Sequence, residues 1–236
     1  MKILIGCPTH KIYKPLLAEY LDCAKKLERP GFEIDVVLVD NSEDDEYLET
    51  IKASGITALK GPWSESAKER IVLSREMLRQ RCLDAGYDYF FSLEQDVMVK
   101  PDTLKRLLGH DMPIVSAYYG DNTPLVVKDS QTGKTRQVIL NIPLIYLQTR
   151  PGYIKRANAH EVLHKGLIEI GAAGIGCMLI RRDVLEKVPF RLNPGKGFDD
   201  VLFCKEAKAA GYKICVDSDV ILEHRHRDWK EMGIKR

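Results

Sequence analysis

The strongest constraint in this sequence is a set of short runs that are apolar on nearly every residue. "KILIGC" near the start, Val36 to Val39 within "FEIDVVLVD", and Tyr89, Phe90, Phe91 and Leu93 in "DYFFSLEQDVMV" present almost no polar face. Successive side chains of a strand point to opposite sides, so such runs need cover on both faces. Helical patterns lie between them. "PLLAEYLDCAKKLER" repeats Leu16, Leu17, Tyr20, Leu21, Ala24 and Leu27 at helical spacing, with Pro15 suited to the first turn. "NSEDDEYLETIKAS" starts a helix from a polar cap, and "GITALKG" reads as a weak third strand. "SAKERIVLSREMLRQRCLDAG" is a long helix, with Ser66 and Glu69 at capping-box spacing and Gly86 as its stop. Strands alternating with helices predict an α/β fold: a mostly parallel mixed sheet flanked by helices.

The second half has a looser pattern. "PDTLKRLLG" reads as a short helix and "PIVSAYY" as a strand. From Gly120 to about Glu161 the pattern is irregular, and "PLVVKDSQTGKTRQVILNIPL" reads as a β-hairpin turning at "DSQTGK". "LIEIGAAGIGCMLIRRDVLEKV" reads as a glycine-rich strand leading into a helix. "DDVLFCKEAKAAG" is an amphipathic helix, and "YKICVDSDVILEHRH" supplies two short strands and a charged tail. No linker interrupts the 236 residues, a length suited to one sizeable domain. The reading is one domain over 1–236, with a first half to about residue 100, a second half from 101, and a hairpin insertion. A formal net charge of +2 argues against a dedicated nucleic-acid binder. The six cysteines form no C-x-x-C pair, so no zinc cluster is expected, and most read as core side chains of a reducing compartment. "MKILIGCPTH" meets Pro8 too soon for a signal peptide, and no apolar run reaches the ~20 residues that cross a bilayer. The expectation is a cytoplasmic chain that works, if at a membrane, on its surface.

Glu94 and Asp96 sit two residues apart where the strand "YFFSL" ends. In open α/β sheets, ligands bind outside the C-terminal ends of the strands. If the chain stays extended, both carboxylates face one side and could share one ligand. Oxygen donors at that spacing suit a hard divalent cation, and such a cation suits a diphosphate. The alternative is a solvated acidic turn before the helix start at Lys100-Pro101. No G-x-x-x-x-G-K-[ST] phosphate loop is present, and no G-x-G-x-x-G follows the first strand. "GAAGIG" comes late and reads as a close backbone approach to a ligand.

"ILIGCPTH", "VVLVDNSEDD", "YFFSLEQDVMVKPDTL", "GAAGIGCMLIRRDVLEKVPF" and "GFDDVLFCKEAKAAGYKICVDSDVILEHRH" occur in the order found in GT-A glycosyltransferases. The chain resembles the family-2-like members of that group, which use nucleotide sugars, over most of its length outside Gly120 to about Glu161. The resemblance implies a GT-A fold and metal-dependent transfer of a sugar from a nucleoside-diphosphate sugar to an acceptor hydroxyl, with inversion. It makes 1–100 the nucleotide half and 101–236 the acceptor half.

The resemblance also implies roles for particular residues. Glu94-Gln95-Asp96 resembles the D-x-D motif, with Asp96 as the metal ligand; Glu94 replaces the usual first Asp, and both Glu94 and Gln95 fall to the donor. Pro8 and Thr9 resemble the pair that lines the nucleotide pocket. Asp40 resembles the acid that reads the nucleobase, with a helix cap as the alternative. Phe198-Asp199-Asp200 resembles the Glu-Asp motif in which the second acid is the catalytic base, so Asp200 takes that role and Asp199 caps the helix or meets the acceptor. A helix start would lower the pKa of Asp200, so the role requires burial. Gly176 is assigned to the acceptor side. His224 resembles the C-terminal histidine that completes the metal site, with His226 as its competitor. Arg75, with Arg79 on the same helix face, resembles the arginine that meets the diphosphate; a solvated charged face is the alternative. An Asp and His donor set favours Mn²⁺ over Mg²⁺. The implied partners are the nucleotide sugar and a glycan, lipid-linked or small-molecule acceptor. The rival readings are a nucleotide-sugar-binding protein without transfer activity and a nucleotidyltransferase on a related fold.

Overall fold

The computed structural model describes residues 1–128, 132–195 and 197–225. The early strands are β1 (Lys2–Thr9), β2 (Glu33–Asp40), β3 (Thr57–Lys60) and β4 (Tyr89–Leu93). They alternate with α1 (Leu17–Lys25), α2 (Glu46–Ala53) and α3 (Ala67–Asp84). Pro15 does not open α1. It lies inside a 3-10 turn, Lys11–Leu16, whose start is held by the Ile12 N–H donating to His10 Nδ1. The second half runs β5 (Val97–Met98), α4 (Thr103–Gly109), β6 (Ile114–Tyr118), β7 (Gly120–Lys128), β8 (Thr135–Pro143), β9 (Ile145–Arg150), β10 (Tyr153–Arg156) and α5 (Ala159–Val162). It ends with β11 (Leu167–Glu169), β12 (Ala172–Ala173), β13 (Cys177–Arg181), α6 (Arg182–Lys187), α7 (Asp199–Ala209), β14 (Ile214–Ile221) and β15 (Glu223–His224).

Eight strands form the central sheet in the order β11-β14-β6-β13-β4-β1-β2-β3. β1, β2, β3 and β4 are parallel, as are β6 and β14, while β13 runs antiparallel between β4 and β6. The period of two along each strand divides the core into two layers. Ile3, Ile5, Phe91 and Leu93 pack with Tyr20 and Leu21 of α1, Ile51 of α2 and Leu104 of α4. Leu4, Val37, Val39 and Phe90 face the other way, onto Leu78 of α3, Leu185 of α6 and Phe203 of α7. Gly6 permits the close seat of α3, because a Cβ there would lie 2.3 Å from the Phe90 ring and 3.1 Å from Leu78.

The second half departs from the expected pattern in two places. "LIEIGAAGIGCMLIRR" is three strands, not one. Gly171 and Gly174 donate their N–H groups to the carbonyls of Tyr146 and Leu144, each at 2.8 Å, which draws β12 onto β9 and away from the central sheet. The irregular segment holds two hairpins, β7/β8 and β9/β10, where one was expected. Residues 129–131 of the expected turn "DSQTGK" lie outside the described residues.

Candidate active site

A cleft opens at the C-terminal ends of β1, β2 and β4, where Pro8, Thr9, Asn41, Glu94, Gln95 and Asp96 line it. The chain does not stay extended after β4. Val97 N–H donates to the Glu94 carbonyl at 3.1 Å, closing a turn over Glu94-Gln95-Asp96. Both carboxylates still reach the cleft, because Gln95 holds the turn in place. Its Oε1 accepts from Thr9 Oγ1 and from the Tyr47 hydroxyl (2.8 Å), and its Nε2 donates to the Tyr13 carbonyl (2.8 Å). Gln95 therefore ties the end of β1, the 3-10 turn and α2 beneath the acidic pair.

The turn leads into β5, which pairs with β15 antiparallel, setting His224 opposite Val97. That register brings His224 Nε2 to 3.5 Å from Asp96 Oδ2. The other ring nitrogen, Nδ1, lies 3.5 Å from Asp121 Oδ1 at the start of β7, and the ring meets Tyr119 edge-on. Burial alone would lower the His224 pKa; the carboxylates of Asp121 and Asp96, each 3.5 Å from a ring nitrogen, outweigh it and raise the value to about 10. Asp121 was not among the expected site residues. It sits in the stretch with no regular pattern, and only the fold carries it to the cleft. His226 lies outside the described residues.

Arg75 is not solvated; it forms part of the cleft wall with its guanidinium already paired. It is 4% exposed on α3, with Nη1 within 2.6 Å of both Asp199 oxygens and Nη2 paired with Glu94. Two carboxylates on one guanidinium hold its pKa above the usual arginine value against the pull of burial. Arg79 instead pairs with Glu76 and donates to the Leu185 carbonyl. Asp199 is not the helix cap; Phe198 occupies that position, and the Asp199 carboxylate turns inward to Arg75. With Asp199 committed, the next residue, Asp200, lines the cleft. Burial raises the Asp200 pKa and the neighbouring Asp199 adds to it, while the Val201 N–H at 2.7 Å opposes both. Burial thus overcomes the lowering expected from a helix start.

Asp40 ends β2 fully buried. Its Oδ1 accepts from the Ser42 N–H (3.0 Å) and hydroxyl (2.5 Å), while Oδ2 has no hydrogen-bond partner and lies 4.0 Å from Lys60 Nζ. Gly176 lies behind the cleft wall, and Gly174 lines the cleft. Gly176 N–H donates to the Tyr119 hydroxyl at 2.7 Å, and a Cβ there would lie 2.7 Å from that oxygen and 2.8 Å from Glu94 Oε2. The other edge of the cleft carries His10 and Arg70, both against Trp63: His10 stacked at 6.5 Å and the Arg70 guanidinium 4.7 Å from the ring. Burial, with Arg70 and Lys11 nearby, lowers the His10 pKa to about 4, so this edge holds a neutral imidazole at pH 7.

Among the described residues, no three His, Cys, Asp or Glu side chains form a closed metal-holding group. Asp96 and His224 would hold a divalent cation only if it displaced the proton that the carboxylates keep on the His224 ring, and it would take its remaining ligands from a substrate. Asp121 on the far nitrogen of His224 is the partner that a metal-bound imidazole needs to fix its orientation.

The central sheet, its helices and a cleft at the strand ends define the GT-A fold, and the solved structures bear this out. TarS from S. aureus, residues 1–349 in complex with UDP-GlcNAc, is 18% identical over 100% of this chain and 62% of its own, with a TM-score of 0.59. The same protein in complex with UDP is 17% identical over 98% and 62% of the two chains, with a TM-score of 0.55. A third structure, TarS 1–349, is 18% identical over 94% and 59%, with a TM-score of 0.55. The likeness is therefore one of fold, and the chain spans about three-fifths of the TarS 1–349 length. No protein-family model and no curated protein matches the sequence.

Proposed function

We propose that this chain is a glycosyltransferase that takes a sugar from a uridine-diphosphate-type donor. The observation that carries the reading is the grouping at one set of strand ends. Asp96 and His224 face each other beside Glu94, and Asp200, with its raised pKa, lines the same cleft. The uridine nucleotide is inferred from the UDP-GlcNAc and UDP bound by the TarS structures.

The nucleotide would enter along Pro8, Thr9 and Asn41, while Asp40, fully buried and outside the cleft lining, would support that wall through Ser42 and not meet the base itself. The diphosphate would lie over Asp96 and His224, which would hold Mn²⁺ or Mg²⁺. When bound, that cation would neutralise charge on the leaving diphosphate. Arg75 acts from beneath: it fixes Glu94 toward the sugar and keeps Asp199 turned inward. The acceptor oxygen attacks the anomeric carbon, the bond from that carbon to the diphosphate oxygen breaks, and its electron pair leaves with the nucleoside diphosphate. Asp200 takes the acceptor proton, and attack from the opposite face inverts the anomeric centre. Gly174 and Tyr119 shape the acceptor side, with Gly176 in support behind them. The acceptor remains a glycan, a lipid-linked sugar or a small molecule.

Calorimetric titration with UDP and Mn²⁺ tests the metal assignment. Asp96→Ala should abolish the metal-dependent part of the affinity, whereas Glu94→Ala should only weaken it. Unchanged metal-dependent affinity in Asp96→Ala removes the assignment. Donor turnover that releases diphosphate in place of a nucleoside diphosphate would indicate nucleotidyl transfer.

A further inference from the structure

Among the described residues, seven of the twelve exposed large hydrophobic side chains belong to the β7/β8 and β9/β10 hairpins. Val126 and Ile139 are the most open, at 74% and 73%. Among the described strands, β7 and β8 pair only with each other, and both are mostly exposed beyond their bases at Gly120 and Pro143. Pro124 opposite Ile139 and Val126 opposite Gln137 share one face; Thr123 opposite Leu140 and Leu125 opposite Val138 share the other. A two-stranded ribbon apolar on both faces is marginal in water and marks a contact surface.

Charge selects the occupant. Between residues 121 and 161 the sequence holds six Lys and Arg against three acids, Asp121, Asp129 and Glu161, a surplus of three, whereas the whole chain has a surplus of two. Arg156 and Lys155 are paired near the hairpin bases with Asp121 and Glu161. Lys128, Lys134 and Arg136 stand exposed toward the ribbon tip. We infer that the β7/β8 ribbon docks this protein onto an anionic lipid bilayer, with its aliphatic side chains entering the interface and its lysines and arginines meeting the headgroups. A second copy on the same surface would oppose two cationic ribbons. A nucleic acid would meet aliphatic side chains where it needs stacking rings. Asp121, at the root of β7, lines the active-site cleft, so the bilayer would lie beside the cleft mouth. The inference stands apart from the transfer reaction and needs no donor to be tested.

Co-sedimentation of the full chain with phosphatidylcholine vesicles, with and without phosphatidylglycerol, is the test. The exposed positions allow two folded variants, Val126→Asp/Ile139→Asp and Lys134→Glu/Arg136→Glu, each checked by circular dichroism. Wild type should bind the anionic vesicles, less in high salt, and each variant should bind them roughly tenfold or more weakly. Failure of wild type to bind, or folded variants that bind equally well, overturns the inference. So does sedimentation velocity that finds a dimer broken by Val126→Asp/Ile139→Asp without vesicle binding, or RNA binding lost in Lys134→Glu/Arg136→Glu without vesicle binding.

Discussion

Arg75 meets two carboxylates, Asp199 where little water can screen the pair and Glu94 at the half-buried cleft wall. The Arg75 side chain is 5% exposed, and that of Asp199 is fully buried. Replacing it with methionine keeps much of the volume but strands Glu94 and Asp199 side by side. Breaking a buried pair from one side costs about 3–5 kcal/mol. Arg75→Met should therefore lose that order of stability in urea unfolding, and Arg75→Lys should recover only part, since one ammonium cannot copy the guanidinium fork. At Asp200 the same burial acts on chemistry. A base must be ionised, so turnover should fall as pH drops through a pKa above the ordinary aspartate range. Asp200→Asn should lower turnover by roughly 10²–10⁴-fold with donor affinity nearly unchanged. Stability should move the other way. A raised folded pKa gives stability below the unfolded pKa that is lost as pH rises through the folded one. Asp200→Asn should thus be no less stable than wild type at neutral pH, which thermal melts at pH 7 would check.

At the scale of elements, the metal candidates depend on a ribbon of two residues per strand, β5 with β15, and on the root of β7. Asp121 touches His224 from one side and Arg156 from the other. Removing such an outer partner of a metal-bound histidine typically lowers metal affinity about 10–100-fold. Asp121→Asn should do so in Mn²⁺ titrations with UDP present, while metal-free UDP affinity stays close to wild type. Equal Mn²⁺ affinity in the variant would leave Asp121 with a role confined to Arg156.

The whole molecule joins these pieces through one sheet, so a donor in the cleft should stabilise all of it. A ligand at 100 times its dissociation constant adds about 2.7 kcal/mol to a folded state that alone binds it. UDP with Mn²⁺ should raise the melting temperature of wild type and leave that of Asp96→Ala close to its value with UDP alone. No helix among the described residues is long and apolar enough to cross a membrane. Contact with a bilayer of the kind inferred for the β7/β8 ribbon would thus be a property of strands and their side chains.

Much of the first half was legible without coordinates because its signals are local. Val36 to Val39 demand cover on both faces, Ser66 caps α3 through its own hydroxyl and the Glu69 N–H, and Glu94 and Asp96 end a strand where α/β sheets bind ligands. That pattern gives an α/β fold, and the resemblance carried by the order of five motifs implies GT-A within it. What the sequence could not carry is which distant groups share charge. Arg75 and Asp199 are 124 residues apart, and nothing local to "SREMLRQ" separates a buried guanidinium from a solvated one. Asp121 sits in a stretch without a single period, and it reaches His224 only because β7 starts beside β15. Gly176 sits behind the cleft wall, where the clash that excludes a Cβ comes from Tyr119 and Glu94, a contact no local pattern in "GAAGIG" announces. Backbone preference and hydrophobic period act over a few residues and can be read along a chain. Burial, and with it the direction of each pKa and the partner of each charge, exists only once the layers have closed.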